Sequence, residues 1–345
     1  MDLSYRPMLA GDVAACVDLI KSDPILGPRY GPAIWLLPAV WSRPLGQESF
    51  RAFVFETTES GHKKIISVGI AVFVADDFVR QMKTPPFVWI GKELTQCMAK
   101  GHSPLLSDRE VALANSNGTL TCFCWSGCIH QQYVAEPVVN NFSVRAFIEV
   151  HSGYYLREII GQADNEHHLQ QMLGSGGLLL CDRKGTYESA CAEDIRGLWR
   201  RPHVLGITRE LAKRQIGTWI SMMFRHERPR LGLTRKQQRL LTTAMNGSTD
   251  PELAAELSTS LAAVKKSWRD IYDRVHDCIP KLFPSEASRE QLGSERGKAK
   301  KHRLLSYVRE HPEELRPFAR KAVTVSPGTA ITQARKSQVA NAAAN

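Results

Sequence analysis

The sequence predicts an α+β N-terminal domain followed by an all-α C-terminal domain. Three observations carry this reading: period-two strand patterns that lie before residue 200, three short capped helices between residues 233 and 278, and a charge balance that changes near Pro229. From Pro229 onward there are 21 lysines and arginines against 12 acidic residues, whereas the preceding chain holds 24 against 23. The basicity of the 345-residue chain, formally +10, is therefore almost wholly C-terminal. A neutral first part joined to a basic second part points to a polyanionic partner, nucleic acid or an anionic membrane surface.

Taken in order, residues 4–8 read as extended and residues 12–21 as a helix, with Val13, Cys16, Val17 and Ile20 at helical spacing. Residues 50–56 alternate like a strand, and residues 64–74, rich in β-branched side chains, follow a Gly61-His62 turn. Residues 119–129 read as a further strand. A helix is predicted over 138–163, its apolar stripe formed by Phe142, Ala146, Phe147, Val150, Tyr154, Ile159 and Ile160. Residues 166–173 continue as helix up to Gly174, and 178–181 form a strand. The polar stretch His226-Glu-Arg-Pro-Arg230 is the expected boundary of a 1–228 domain. A helical domain at 229–283 follows, then a basic linker and helix at 284–321, with residues 300–318 helical. The tail, 322–345, collapses to Ala, Thr, Ser, Gln and Asn and is predicted to be disordered.

Hydrophobic residues make up 43% and charged residues 23%, a globular balance that excludes wholesale disorder. The longest apolar stretches, 33–41 and 65–75, are broken by Pro38 and by Ser67 and Gly69, well short of the ~20 residues that cross a bilayer. No membrane span is expected. The N-terminus lacks a basic start followed by an apolar run, so no secretory signal is expected and the eight cysteines read as reduced thiols of a cytoplasmic protein.

The C-terminal helices are punctuated clearly. Thr234 can cap the first, whose Leu240, Leu241, Ala244 and Met245 lead to a stop at Gly247. Thr249 or Asp250 caps the second, with Pro251 in its first turn and Leu253, Ala254 and Leu257 on its buried side. Ser260 caps the third. There Val264, Trp268, Ile271 and Val275 form one apolar stripe, while Lys265, Lys266 and Arg269 lie off it as mutual neighbours. Small Ala262 and Ala263 let the N-terminal end approach a surface closely, and a helix of this width fits the major groove of B-DNA.

Residues 233–275 resemble the DNA-binding domain of LuxR-type transcriptional regulators, a helix-turn-helix module. The matching residues are Leu233-Thr234, Leu240-Leu241, Gly247, Glu252-Leu253-Ala254, Leu257, Ser260, Val264-Lys265 and Ile271. The resemblance implies a recognition helix at about 260–275, with Lys265, Lys266 and Arg269 facing bases or the nearest phosphates and Thr234, Ser260 and Ser267 facing the sugar-phosphate backbone. The sequence departs from the pattern in three places. Lys236-Gln237-Gln238 replace the usual acidic residue, and Ser258 stands where glycine is usual, at a position expected to need φ > 0. The fourth helix is displaced, with 303–310 the segment available for its role. The basic residues Lys298, Lys300, Lys301 and Arg303 could add backbone contacts.

In the first domain, Tyr5–Ile20 resembles the first strand and helix of GNAT acetyltransferases, which implies an acetyltransferase-like fold, here degenerate or repurposed for sensing or association. Those enzymes hold the acetyl-CoA pyrophosphate on a loop reading Gln/Arg-x-x-Gly-x-Gly/Ala that starts a helix. The literal match, Gln171–Gly176, is preceded by helix and followed by strand, so a helix-ending glycine turn explains it better. A phosphoacceptor receiver is rejected because the acidic pair Asp76-Asp77 follows a later strand than such a domain needs. Cys122, Cys124, Cys128 and His130 have a zinc-like composition, but their spacing suits buried strand cysteines better; His167-His168 suits a solvated helix pair. No Ser/His/Asp or Cys/His set stands out.

The expected function is sequence-specific DNA binding by a transcriptional regulator, not an enzyme, with double-stranded DNA as partner. A small-molecule effector and a homodimer are further partners this organisation admits, and no cofactor or metal is expected. The alternatives are an acyl-CoA-dependent acyltransferase tethered to DNA by its C-terminal module, and a nonspecific nucleic-acid or membrane-surface binder.

Overall fold

A computed structural model of the chain describes residues 1–59, 61–175, 177–283 and 296–319. The expected tail at 322–345 and most of the expected linker at 284–295 lie outside the described residues.

The N-terminal part is built on a mixed sheet of β1 (Leu3–Pro7), β2 (Phe50–Glu59), β3 (His62–Phe73), β4 (Leu120–Ile129), β5 (Leu156–Gly161), β6 (Leu179–Cys181), β7 (Tyr187–Glu188) and β8 (Leu205–Thr208). Their spatial order is β1-β2-β3-β4-β5-β8-β6-β7. All neighbouring pairs are antiparallel except β4 and β5, which run parallel from Leu120 beside Leu156 to Phe123 beside Ile160. A parallel pair needs a long crossover, here supplied by the segment between the two strands. Past Phe123, β4 continues to Ile129 against β3 alone, so β4 and β5 part company.

One face of the sheet carries α1 (Val13–Ser22), α2 (Leu26–Tyr30), α3 (Leu37–Ser42), α4 (Asp76–Met82) and α5 (Ile90–Ala99), which bury Val17, Leu37, Trp41 and Leu94 against Val54, Val68 and Val72. The other face carries α6 (Asp108–Asn117), α7 (Pro137–His151), α8 (Glu166–Gln170), α9 (Ala192–Ile195), α10 (Arg209–Ala212) and α11 (Trp219–Met223). The early predicted elements stand close to where the pattern put them, and Gly61 turns the β2–β3 hairpin at φ +79°.

The helix predicted over 138–163 is corrected. It ends at His151; Gly153 turns the chain at φ +86°, and the remaining residues form strand β5. Strand β5 is almost entirely buried, so it lacks the alternation that marks a half-exposed strand, and its Ile159 and Ile160 extend the helical stripe by coincidence. Strands β7 and β8 are likewise short and escaped the pattern. The predicted helix at 300–318 also divides, into α15 (Arg296–Glu310) and a 3₁₀ turn at Pro312–Leu315, because Pro312 cannot continue the helical hydrogen bonding.

Helices α12 (Arg235–Ala244), α13 (Asp250–Glu256), α14 (Leu261–Cys278) and α15 share a separate core of Leu231, Leu240, Leu241, Leu253, Val264, Ile271, Val275, Leu304 and Val308. Residues 312–319 then form a strap between this block and the sheet part. The buried Glu314 carboxylate accepts from the backbone N–H groups of Arg230 (2.8 Å) and Leu231 (3.0 Å). Gln238 Nε2 donates to the carbonyls of Arg316 (2.7 Å) and Glu314 (3.2 Å). On the other side, Arg316 Nε donates to the Ser152 carbonyl (2.7 Å) at the end of α7, and Asn115 Nδ2 donates to the Pro317 carbonyl (2.7 Å). Arg235, at the start of α12, adds an ion pair to Asp108 at 2.9 Å.

Candidate functional site

The first candidate is the exposed flank of α14. Ser260 caps it, its Oγ accepting from the Ala263 N–H at 3.1 Å. Val264, Trp268, Ile271 and Val275 are buried as the periodicity requires, and the Trp268 indole N–H donates to Asp250 at 3.2 Å. Lys265, Lys266 and Arg269 are exposed, and their side chains make no hydrogen bond or ion pair to another described residue. Asp270, Asp273 and Asp277 are exposed on the following turns, where Arg274 is half-buried and donates to the Gly232 carbonyl, so the exposed lysines and arginine lie in the N-terminal half of the helix. Ser258 adopts φ +50°, the left-handed conformation its place in the turn required.

The other expected contact residues divide. Thr234 and Ser260 are exposed, but their hydroxyls serve as helix caps, Thr234 in a reciprocal box with Gln237 (2.9 and 3.4 Å). Ser267 is half-buried. Lys301 is held inside the block, 3.2 Å from Asp250 and over the Trp268 ring, and Lys300 lies over the Phe283 ring. These two lysines are engaged locally, whereas Arg303 is exposed. Of the residues at 236–238 that departed from the expected pattern, two have structural roles here: Gln237 completes the cap and Gln238 grips the strap. Sequence reasoning missed that grip because its partners lie more than seventy residues away.

The second candidate is a cleft of about 730 Å³ between the sheet and α7. Its floor is Phe53, Phe55, Gly69 and Gly127 of β2, β3 and β4; its roof is the Asn140–Val150 face of α7. It crosses the gap where β4 and β5 separate and reaches Gln162, Asp164 and His168, with Trp219 and Met222 of α11 closing one side. Arg51 and His151 also line it. His151 is buried, and that burial, reinforced by the nearby Arg51 charge, pushes its pKa down to about 3. The ring is therefore neutral near pH 7.

Other sequence candidates resolve plainly. Cys122 and Cys128 pack into the cores on opposite faces of the sheet, because a bulge near Trp125 changes the alternation of β4; with Cys124 and His130 they do not converge on a metal position. Burial pushes the Cys128 thiol up, out of the reactive range. All eight cysteines are free thiols. His168 lies 3.5 Å from Asp164, a local contact. Asp76 pairs with Arg157 at 2.7 Å. Residues Gln171–Ser175 form a π-helical turn ahead of β6, and Gly176 lies outside the described residues, so this glycine stretch starts no helix. Among the described residues, the side chains near enough to share a metal ion are Glu227, His311 and Glu313, whose ligand atoms lie within 4.8 Å of one another; His311 Nδ1 is already 3.0 Å from Glu313. Between β4 and α7 the chain reads His-Gln-Gln-Tyr-Val-Ala-Glu (130–136), without glycine and with Glu136 at the helix cap.

No protein-family model and no curated protein matches the chain. Among solved structures, a mosquito arylalkylamine N-acetyltransferase-like protein, 5b, aligns with 60% of this chain and 100% of its own, at 12% identity and a TM-score of 0.34. Among the described residues no helix is long and apolar enough to cross a membrane.

Proposed function

We propose that the chain is a DNA-binding transcriptional regulator in which α14 enters the major groove with its N-terminal half, and the sheet domain receives a signal. One observation supports this above the rest: a helix anchored by a four-residue apolar stripe presents Lys265, Lys266 and Arg269 side by side, exposed and without side-chain partners among the described residues. Unpaired cations keep their full charge for phosphates, and the acidic second half of the helix disfavours any docking except by the N-terminal end. Exposed Ala262 and Ala263 are small, and Leu261 beside them is the one bulky exposed side chain of that first turn. The test is enrichment of the full-length protein's targets from a pool of random duplexes, followed by sequencing. A recurrent sequence motif is the expected result; absence of duplex binding at low salt overturns the reading.

The second reading is an acyl-CoA-dependent acyltransferase, favoured by the cleft that passes through the β4–β5 gap. Against it, the loop before α7 has no glycine to let backbone N–H groups approach a pyrophosphate, and Glu136 sets a carboxylate at the helix start, where an anion would have to bind. Saturable acetyl-CoA binding by the full chain would favour the enzyme.

A further inference from the structure

We propose that the cleft beneath α7 binds a small, uncharged, mainly apolar molecule, held at one point by a group that both donates and accepts a hydrogen bond, such as a carboxamide. Three features of the cleft lead there. Its volume is in the range that takes drug-sized ligands. Its floor carries a directly facing pair of glycines, Gly69 on β3 and Gly127 on β4. Glycine weakens a strand and commonly marks a place where another group comes close to the backbone. A Cβ added at Gly127 would meet no atom within 4 Å, so the space above it is open, and neither residue has the positive φ that would otherwise explain glycine.

The third feature is a pair of unmatched polar atoms on Arg51 and His151. His151 Nδ1 lies 2.8 Å from the Phe147 carbonyl, which can only accept, so Nδ1 carries the proton and Nε2 of the neutral ring is an acceptor. Among the described residues that buried Nε2 has no donor, and the buried Arg51 Nε–H has no acceptor. The two residues are neighbours, since Arg51 also reaches the Val150 carbonyl at 3.5 Å. Both atoms lie behind the cleft wall, closed to water, and an occupant with one N–H or O–H and one carbonyl satisfies both as the Arg51 and His151 side chains turn towards it. A carboxylate would set its oxygens against the His151 lone pair, while the Arg51 charge is already met by Glu48 at 3.4 Å; a cation would face Arg51. An uncharged ligand follows.

The experiment uses the full-length protein without DNA, so its outcome is separate from that of the DNA-binding reading. N-phenyl-1-naphthylamine serves as an uncharged fluorescent reporter, displaced by decanamide, methyl decanoate or decanoate. Decanamide is expected to compete at least tenfold more tightly than the ester or the acid. The His151→Phe variant should lose that preference while still binding the reporter. Gly127→Leu should fill the cleft and abolish reporter binding with circular dichroism unchanged; Val144→Trp, from the roof, gives the same block if the first variant does not fold. Equal displacement by the three competitors, no reporter binding by the parent protein, or undiminished binding in a folded blocked variant overturns the proposal.

Discussion

Changing Lys265, Lys266 and Arg269 together to alanine removes three exposed cations from α14 and leaves its buried stripe intact. Because each phosphate contact on duplex DNA contributes about 0.9 to the slope of log affinity against log salt, the triple variant should have a slope shallower by up to ~2.7. A fourfold rise in salt, from ~50 to ~200 mM, should therefore weaken the parent about 40-fold more than the variant. Fluorescence anisotropy with a labelled duplex over a salt series reads this directly. Lys301→Ala is the internal comparison: its ammonium is already engaged by Asp250, so the slope should stay near the parent's. A triple variant with an unchanged slope would refute the assignment of α14 as the DNA-facing element.

Ser258→Gly should stabilise the helical block by roughly 0.5–1 kcal/mol, the left-handed strain relieved less the added freedom of the unfolded chain; slower hydrogen exchange at the buried amides of α14 is the readout. Gly153→Ala should destabilise by more than ~2 kcal/mol, since φ is +86° and the new Cβ would sit 2.4 Å from the Glu313 backbone nitrogen, and exchange protection in residues 312–319 should fall first. Acid should destabilise the sheet domain through His151 and His203, which burial pushes down to about 3 and about 4. Both are neutral in the fold and take up protons on unfolding. Their contribution is complete above pH ~6.5 and is lost as pH falls towards those values, at no more than ~1.4 kcal/mol per pH unit for each histidine. Denaturant midpoints measured across that range check the sign, and His203→Gln should flatten the dependence.

Local chemistry made much of this legible. Thr234, Ser260 and Pro251 punctuate helices through their own backbone neighbours, and the stripe on α14 repeats within one helix, so both can be read from a short window. Strand β5 could not be read that way, because a strand buried on both faces shows no alternation and its register is set by β4 and β8. The cleft was equally hidden. Its glycines face each other only after two strands pair, and Arg51 meets His151 across a hundred residues of chain. The unexpected Gln238 became intelligible only with the strap in view.

That strap has a consequence for biosynthesis. Its anchors on the sheet side, Asn115 and Ser152, precede it by 202 and 164 residues, so they emerge from the ribosome long before their partners do. Until residues 312–319 arrive, each half has its own interior but lacks these anchors, and the ion pair of Arg235 with Asp108 is left to set their bearing. Proteolytic trimming ahead of Pro312 would return a mature molecule to that loosely coupled condition.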